Sequence, residues 1–383
     1  RVNGSLEVYW NTTKDLLMAV PVDNTTGYSY QFQNFGKTSN RGIELSVNVD
    51  VINKGDFRFN VGAIYNYNRN KLDELPNADQ YLYSSYWGSS SLVPTNDYMF
   101  VEGKAIGLVR GFISEGYYTV DDFNYTNGQY VLKEGVPDIT KALTATYMHP
   151  YDLPAGQTAF PGAAKFRDVD ESGTVDLDDA TCLGEVMPRH TGSFQLNFNY
   201  KNFDLSTNFN WTAGGKVYNV AAMINASGQE FDGIGAQRAS WVADAFKVYN
   251  VNAAGDLYAV TNPDELRALN ANAKYHLPYH QSGITSSEWL ENGSYLRLQT
   301  LTLGYTLPKN WLTKVHVDKI RLYLTATNLF TITGYSGIDP EVNANPTGQS
   351  GFYSDLRIFP TLNMDFGTYP RARTFTFGAN ITF

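Results

Sequence analysis

The chain has 383 residues, a formal net charge of −9, one cysteine and an aromatic content of 14%. The acidic balance excludes a nucleic-acid-binding surface, which needs clustered Lys and Arg side chains to neutralise phosphates. The lone cysteine, Cys182, excludes an intrachain disulfide. No run of about 18 apolar residues occurs, so the sequence predicts no transmembrane helix.

The first predicted elements are a strand that begins near Ser5 and a hairpin whose strands begin near Asn40 and Asp56. Apolar residues in the hairpin recur at every second position, which predicts strands with one apolar and one polar face. The first hairpin strand carries its apolar set at Ile43, Leu45, Val47, Val49 and Val51.

Two further hairpins follow. The strands of the first begin near Ser193 and Phe203 and are separated by Lys201 and Asn202; those of the second begin near Tyr295 and Asp318. In the strand from Tyr295, the leucines before and after Gln299 are out of phase, which predicts a β-bulge near that residue.

The last predicted strand begins near Thr374 and runs to the final residue with the same alternation. Its polar side consists of Thr, Asn and Gly. Its apolar side consists of Phe375, Phe377, Ala379, Ile381 and Phe383.

The connections alternate between short turns and long loops. Loops at about 14–39, 69–192, 212–294 and 329–373 join the hairpins, and loops longer than ~15 residues are uncommon in compact domains. Short turns at one end and long loops at the other are typical of outer-membrane barrels. The sequence therefore predicts an all-β fold, a transmembrane antiparallel β-barrel whose apolar face meets lipid. The extended stretch 98–112 is assigned to the extracellular loops, or to one of two further strands.

An acidic motif, DVDESGTVDLDD, has the ligand spacing of a calcium loop, with Gly173 at the position of the tight turn. It predicts a structural Ca²⁺ site in which Thr174 contributes its carbonyl oxygen and Asp179 replaces the usual Glu. The alternative is a solvated acidic turn held by Asx-type hydrogen bonds. The predicted ligands are Asp168, Asp170, Ser172, Thr174, Asp176 and Asp179.

No other motif indicates metal binding or catalysis. His276 and His280 have ligand-like spacing, but Pro278 prevents the helix that would align them, so we interpret them as loop residues. The sequence lacks GxSxG, HExxH, P-loop and GxGxxG motifs. It therefore does not predict an enzyme.

Aromatic residues concentrate in loop segments at 81–87, 116–125 and 350–359. Exposed Tyr and Trp beside Asn and Asp form surfaces that sugars or peptides can contact. The alternative is that these side chains pack the loops together or meet a protein partner. The candidate substrate contacts are Tyr86, Trp87, Tyr117, Tyr118 and Tyr353.

Seven segments in order resemble the SusC/RagA-type TonB-dependent outer-membrane transporters. They are GSLEVYWNTTKDLL, SNRGIEL, VEGKAIG, AAKFRDVDESGTVDLDDATCLGEVMPRHTGSF, WLENGSYLRLQTLTLGYTLP, LTATNLFTITGYSGIDPEV and YPRARTFTFGANITF. The resemblance is to the carboxyl-terminal portion of that barrel across residues 1–383. The family's amino-terminal plug and TonB-contacting segment have no counterpart in the sequence.

The resemblance implies part of a 22-stranded barrel with a plugged lumen, in the outer membrane of a Gram-negative bacterium. It also implies import of glycans or oligopeptides, driven by the TonB complex and assisted by a SusD-like surface lipoprotein. Two alternatives remain open. One is a self-contained eight-stranded barrel that acts as an adhesin or a pore, and the other is a secreted calcium-binding β-protein that recognises carbohydrate.

Overall fold

Eight long antiparallel strands form one continuous sheet in chain order. In this computed structural model the described residues are 1–21, 24–27, 30–34, 36–75, 80–84, 93–144, 149–227, 239–277, 283–312, 317–342 and 362–383. Every one of the eight predicted strands is present. They are β1 (Val2–Lys14), β2 (Lys37–Lys54), β3 (Phe57–Glu74), β4 (His190–Tyr200), β5 (Phe203–Ala213), β6 (Tyr295–Thr306), β7 (Lys319–Thr333) and β8 (Thr374–Thr382).

The short turns all lie at one end of the sheet and the long connections at the other, as predicted. Strands β2, β3 and β7 are longer than predicted, because β2 begins at Lys37, β3 continues to Glu74 and β7 continues to Thr333, all inside predicted loops. The added ends of β2 and β3 are polar except for the buried Leu72 and carry no apolar periodicity, so their ladder pairing is what reveals them.

Register across the sheet separates the two faces. On one face Leu205, Leu303, Leu324 and Phe377 stand side by side on four neighbouring strands. The next row along consists of Ser206, Thr302, Thr325 and Thr376 and projects to the opposite side. The apolar row is exposed at Leu303, Leu324 and Phe377, so the protein itself does not cover the apolar face of the sheet.

Register shifts occur at several places in the described sheet, one of them between Lys37 and Thr38 on β2, where Asp73 is the extra residue of β3. Between β5 and β6 the register shifts at Gln299, which confirms the predicted bulge. Another shift lies between Asp50 and Ile52 on β2, so Val51 is an extra residue there and Ile52 takes the position opposite Phe59. The predicted alternation of β2 is therefore wrong at its last member, Val51, because periodicity alone does not show a bulge at a strand end.

The long connections fold into small sheets and short helices that pack together above the large sheet. The stretch 98–112 contributes two strands to a separate four-stranded sheet, which agrees with its assignment to the loops. The four strands of this sheet are Gln80–Tyr83, Tyr98–Val101, Leu108–Gly111 and Thr181–Glu185. A three-stranded sheet joins Lys216–Asn219, Leu290–Asn292 and Met364–Asp365.

The remaining elements of the connections are short. Paired strands are Leu17–Pro21 with Tyr30–Asn34, Ser114–Tyr117 with Ala164–Phe166, Phe123–Thr126 with Gln129–Leu132, Asp138–Ile139 with Thr174–Val175, and Tyr249–Val251 with Leu257–Ala259. The α-helices are Lys141–Thr144, Val220–Ser227, Ala239–Asp244, Pro263–Leu269 and Lys309–Leu312. Single 3₁₀ turns occur at Asn24–Thr26, Val120–Asp122, Leu177–Asp179 and Ser287–Trp289. Across the described ranges, no helix is long and apolar enough to cross a membrane.

Two large hydrophobic clusters hold the connections together, besides a smaller third one of Val217, Tyr335 and Val342. One joins the β3–β4 connection to the β5–β6 connection through residues such as Phe112, Phe166 and Ile284. The other gathers Leu72, Tyr98 and Met364 with residues of the β5–β6 connection. The connections therefore form a folded cap rather than separate loops.

Strands β1 and β8 are opposite edges of the sheet, and no ladder joins them in the part of the chain that the structure describes. The alternative of a self-contained eight-stranded barrel needs that ladder, because closure is what removes the free edges of a barrel. The structure thus contradicts this alternative.

The two-faced sheet predicts that the effect of a charge on the apolar face depends on its depth in the bilayer. Phe375 lies in the row of Thr207, midway between Phe203 and Trp211 on β5, whereas Phe377 is one row nearer to Phe203. If the apolar face meets lipid, Phe375→Arg and Phe377→Arg in the intact protein should each lower the free energy of unfolding, by up to about 2–4 kcal/mol for the side chain nearer to the bilayer midplane and by less for the other. Guanidinium unfolding in lipid vesicles measures both changes.

The control for this prediction is Thr376→Arg, which places the same charge on the polar face between the two Phe residues. Thr376→Arg should be tolerated, because water solvates a charge on the polar face. Equal losses of unfolding free energy for Phe375→Arg and Thr376→Arg would contradict an apolar face that meets lipid.

Candidate functional site

On β4 to β7 the polar face of the sheet is lined mainly by neutral hydrogen-bonding groups, whereas on β1 and β2 it also carries Glu7 and Glu44, directly opposite each other. Asn210 Nδ2 donates to Gln299 Oε1 over 2.6 Å, and Ser206 Oγ donates to Asn197 Oδ1 over 2.6 Å. The Oδ1 atom of Asn208 is buried and accepts no hydrogen bond from the residues described. We call this surface the polar wall. Amides and hydroxyls of this kind can exchange hydrogen bonds with a polar solute without trapping it by charge.

A charge pair crosses the polar wall near the short-turn end. Arg321 on β7 donates from Nε and Nη2 to the two carboxylate oxygens of Asp204 on β5, at 2.9 and 2.5 Å. Gly304 lies between them on β6, and a Cβ there would stand 2.5 Å from both side chains. Glycine is therefore required for this bidentate contact.

At the opposite end, an ion network ties the cap to the sheet. Arg297 on β6 is only 2% exposed. Its Nε donates to Thr331 Oγ1 at 3.0 Å, its Nη2 to Asp339 Oδ1 at 2.5 Å and its Nη1 to Glu341 Oε2 at 2.9 Å. Glu341 also accepts from Arg371 at 2.6 Å. One side chain of the sheet thus fixes the segment that follows β7 and, through Glu341, the segment that precedes β8.

A crevice of 340 Å³ opens beside this network, between the upper part of β7 and residues 370–373. Asn328, whose φ is 50°, sits in its wall and donates from Nδ2 to the Ala372 carbonyl at 3.0 Å. Sequence reasoning missed both crevice and network. The available signal was Arg297 itself, a charge within an otherwise neutral strand.

The acidic motif forms a compact loop. The carboxylates of Asp168, Asp170 and Asp179 each offer an oxygen within 4.8 Å of the others. Asp168 accepts from the Ser172 and Gly173 amides at 3.1 and 2.7 Å, which closes the turn around Gly173. Three of the six predicted ligands are therefore brought together through their carboxylates.

The other three predicted ligands lie around this group. The Ser172 hydroxyl donates to the Thr174 carbonyl oxygen at 3.0 Å, so these two predicted donor atoms are adjacent. Asp176 uses its carboxylate to accept from the Asp178 amide at 2.8 Å, and its own amide donates to Asp179 Oδ2 at 2.8 Å. Asp176 thus caps the following turn rather than joining the three-carboxylate group.

Charge in this loop is stabilised by hydrogen bonds. The hydroxyl and amide of Ser172 lower the pKa of Asp170 below its ordinary value, because they donate to the ionised carboxylate. Asp179 is fully buried and accepts from the Val169 amide at 2.5 Å. The donor set consists of hard oxygens, which is the chemistry that Ca²⁺ prefers.

The aromatic candidates have different positions. Tyr118 is fully buried in the cap and donates its hydroxyl to the Pro137 carbonyl at 2.7 Å, which contradicts its predicted exposure to a substrate. Tyr117 is half-buried and donates to the Ala273 carbonyl at 3.0 Å. Tyr86, Trp87 and Tyr353 lie outside the described residues.

The histidine motif is only partly described. His276 is buried against Trp241, and burial lowers its pKa to about 4, so it is neutral at physiological pH. His280 lies outside the described residues.

No family model matches the chain. Curated relatives match it along its whole length but at low identity. TonB-dependent receptor P3 of Formosa agariphila is 29% identical over 384 residues, and TonB-dependent receptor SusC of Bacteroides thetaiotaomicron is 25% identical over 393 residues. The chain covers 32% and 30% of these proteins, so it spans about a third of their length.

Solved structures give the same answer for the fold. The RagAB peptide transporter superimposes with a TM-score of 0.65 at 21% sequence identity, covering 100% of this chain and 34% of that one. The two-faced sheet, the cap and these likenesses define the all-β barrel fold of TonB-dependent transporters. The predicted resemblance to the SusC/RagA type is thereby confirmed.

The ion network makes a testable prediction about the cap. Arg297→Met would leave Asp339 buried without its cation, and breaking a buried pair in this way costs about 3–5 kcal/mol. In the intact protein we expect a lower unfolding temperature and new protease cleavage within 334–342. Thermal unfolding and limited proteolysis measure the two effects.

The control is Arg267→Met, which removes exposed ion pairs with Asp121 and Asp264 on the cap surface. It should change little, because exposed pairs contribute little to stability. The same response to both variants would show that Arg297 is not a special anchor.

Proposed function

We propose that this chain is part of an outer-membrane transporter that imports glycans or oligopeptides into a Gram-negative bacterium. The observation that carries the proposal is the two-faced sheet, apolar on its uncovered side and lined by the polar wall on the other. A sheet of this kind suits a barrel with lipid outside and a hydrated lumen inside. The long connections would lie at the cell surface and the short turns in the periplasm.

The composition of the polar wall supports a polar, largely uncharged substrate. Its rows of Asn, Ser, Thr and Gln offer both donors and acceptors, which sugar hydroxyls and peptide amides can use. The names of the similar proteins do not decide between these classes, since RagAB is named a peptide transporter and the names of the curated receptors state no substrate.

Two partners belong to this proposal. The curated relatives are named TonB-dependent receptors, which supports an energy supply from the TonB complex. The SusC/RagA resemblance supports a SusD-like surface lipoprotein that meets the cap. The folded cap supports such contact, because its two hydrophobic clusters give a partner a fixed surface. We assign no catalytic role to the chain.

Uptake by cells that express the intact transporter tests the function. Fluorescent oligosaccharides and oligopeptides of matched size should be supplied separately. We expect accumulation of one class, and its loss when the TonB complex is inactivated. Asn208→Leu with Asn210→Leu should lower the uptake rate by removing donors from the polar wall, whereas Leu303→Met on the apolar face should not.

Uptake that is unaffected by loss of the TonB complex would contradict the proposed energy source. Uptake of neither class by correctly assembled protein would contradict the proposed substrates.

We also propose that the acidic motif holds a structural Ca²⁺ ion. Asp168, Asp170 and Asp179 would supply carboxylate oxygens, with the Ser172 hydroxyl and the Thr174 carbonyl beside them. The support is the proximity of the three carboxylates, together with hydrogen bonds that keep Asp170 ionised. The ion would offset the repulsion among these charges and stiffen the loop.

Calcium binding is tested with Asp168→Asn and Asp170→Asn together, in the intact protein. We expect the double variant to bind less ⁴⁵Ca²⁺ in equilibrium dialysis and to be cleaved faster by protease between residues 160 and 190. Chelator should make the wild-type loop equally sensitive. Because the barrel ladder does not include this loop, global unfolding should change little.

Asp178→Asn is the matched control, since Asp178 is exposed and belongs to the same motif but is not a predicted ligand. Equal calcium uptake by wild type and double variant, or a loop indifferent to chelator, would contradict the calcium assignment.

A further inference from the structure

Five basic residues form a patch on the apolar side of β1, β2 and β3, at the end where the long connections begin. Alternation and register place them on the same face as Trp10 and the exposed Leu6 and Val8. We call this patch the basic rim. Its members are Lys14, Lys37, Arg41, Arg69 and Lys71.

The register of the basic rim puts like charges directly opposite one another. Lys14 pairs with Lys37 across β1 and β2, and Arg41 pairs with Arg69 across β2 and β3. Side chains at such positions lie close together, and like charges there are destabilising. Repulsion between these like charges therefore destabilises the sheet at the basic rim. The fold itself does not require like charges at these positions.

Internal carboxylates relieve only part of this repulsion. Glu74 contacts Lys37 at 2.9 Å and Asp73 contacts Lys71 at 3.3 Å. Lys14, Arg41 and Arg69 have no ion pair with any residue that the structure describes, and all three are exposed. The Arg41 guanidinium instead lies 3.8 Å from the centre of the Trp10 ring, which holds it on the apolar side of the sheet.

The height of the basic rim follows from the aromatic residues below it. Phe57 pairs with Tyr200 near the short turns, and Tyr67 pairs with His190 ten residues further along. At ~3.4 Å per residue and a tilt near 45° these rings are ~25 Å apart in height, which is the depth of the apolar band of outer-membrane barrels. Arg69 is two residues beyond Tyr67, at the depth where lipid headgroups begin.

We propose that the basic rim binds the phosphate-bearing headgroup of a membrane lipid. This proposal depends on the membrane placement given above but adds a ligand site outside the transport path. Phosphate matches the forked donors of Arg41 and Arg69, and an anion between them converts their repulsion into attraction. The lipid's acyl chains would continue down the exposed side chains of Val8 and Leu6.

The test uses the intact transporter in a nonionic detergent, with dioleoyl phosphatidic acid added to the micelles. Arg41→Gln with Arg69→Gln should weaken binding of this lipid about thirtyfold, because each basic residue near an anionic surface contributes roughly fivefold. Without added lipid, the double variant should unfold at the same or a higher temperature than wild type, since the repulsion is gone. Native mass spectrometry and thermal unfolding give the two readouts.

Controls separate the lipid from its alternatives. Lys54→Gln with Arg58→Gln removes two charges at the other end of the sheet and should leave phosphatidic acid binding unchanged. Diacylglycerol, which lacks the phosphate, should bind equally weakly to every variant. Inorganic phosphate should not stabilise wild type at the concentrations at which the lipid does.

Equal phosphatidic acid affinity in wild type and the Arg41 and Arg69 double variant would overturn the proposal. Equal stabilisation by inorganic phosphate would overturn the assignment to a lipid. A protein that stays folded and soluble without detergent would instead contradict the membrane placement itself, so failure of the lipid site and failure of the proposed function are distinguishable.

Discussion

The structure depends on one constraint, which is that backbone N–H and C=O groups inside a bilayer must bond to each other because lipid offers them no partner. The eight-stranded sheet meets this constraint strand by strand. Each of its strands from β2 to β7 has a ladder on both sides, and in the described residues only β1 and β8 have a free edge. The chain thus has the pairing of a barrel wall.

This continuous ladder decides what each side chain faces. Because the backbone groups pair within the sheet, alternate residues must point to opposite sides, so apolar rows and polar rows alternate along most of the sheet. The bulge at Gln299 is compatible with this division because its side chain joins the polar wall and accepts from Asn208 and Asn210. The Asp204–Arg321 pair is also compatible with this division, because Gly304 leaves space for the two charged side chains on the polar face.

The cap is joined to this wall by specific contacts. Arg297 connects the sheet to Asp339 and Glu341, and Leu72 on β3 exchanges backbone hydrogen bonds with Gly103 and Lys104 of the cap, each at 2.8 Å. Both contacts join segments far apart in sequence. The cap can thus present a fixed surface at the mouth of the barrel while the ladder carries the stability of the wall.

The barrel strands could be predicted from the sequence because their signal is local. Alternation in TFTFGANITF and the broken phase around Gln299 are each visible within about ten residues, and both predictions are confirmed. The SusC/RagA resemblance likewise rests on short ordered segments. The cap could not be predicted. Tyr118 is surrounded by residues from two connections, and its burial depends on contacts that no periodic pattern encodes.

The acidic motif shows an intermediate case. Its spacing predicted which residues would meet, and Asp168, Asp170 and Asp179 do lie together. Spacing did not show that Asp176 caps the next turn, because that role depends on the local backbone at Asp178. Nor could any pattern predict the like-charge pairs of the basic rim, since opposition of Arg41 and Arg69 is a property of register.

The central claim is that lipid meets one face of the sheet and water the other. It is tested most directly by spin labels placed one at a time from Phe203 to Ala213 on β5, in the intact protein with Cys182 replaced and reconstituted in vesicles. Collision with oxygen should peak at positions 205, 207, 209 and 211, and collision with a water-soluble nickel chelate at 204, 206, 208 and 210. Nickel access that is equal on both faces, or an oxygen profile without a two-residue period, would contradict the account.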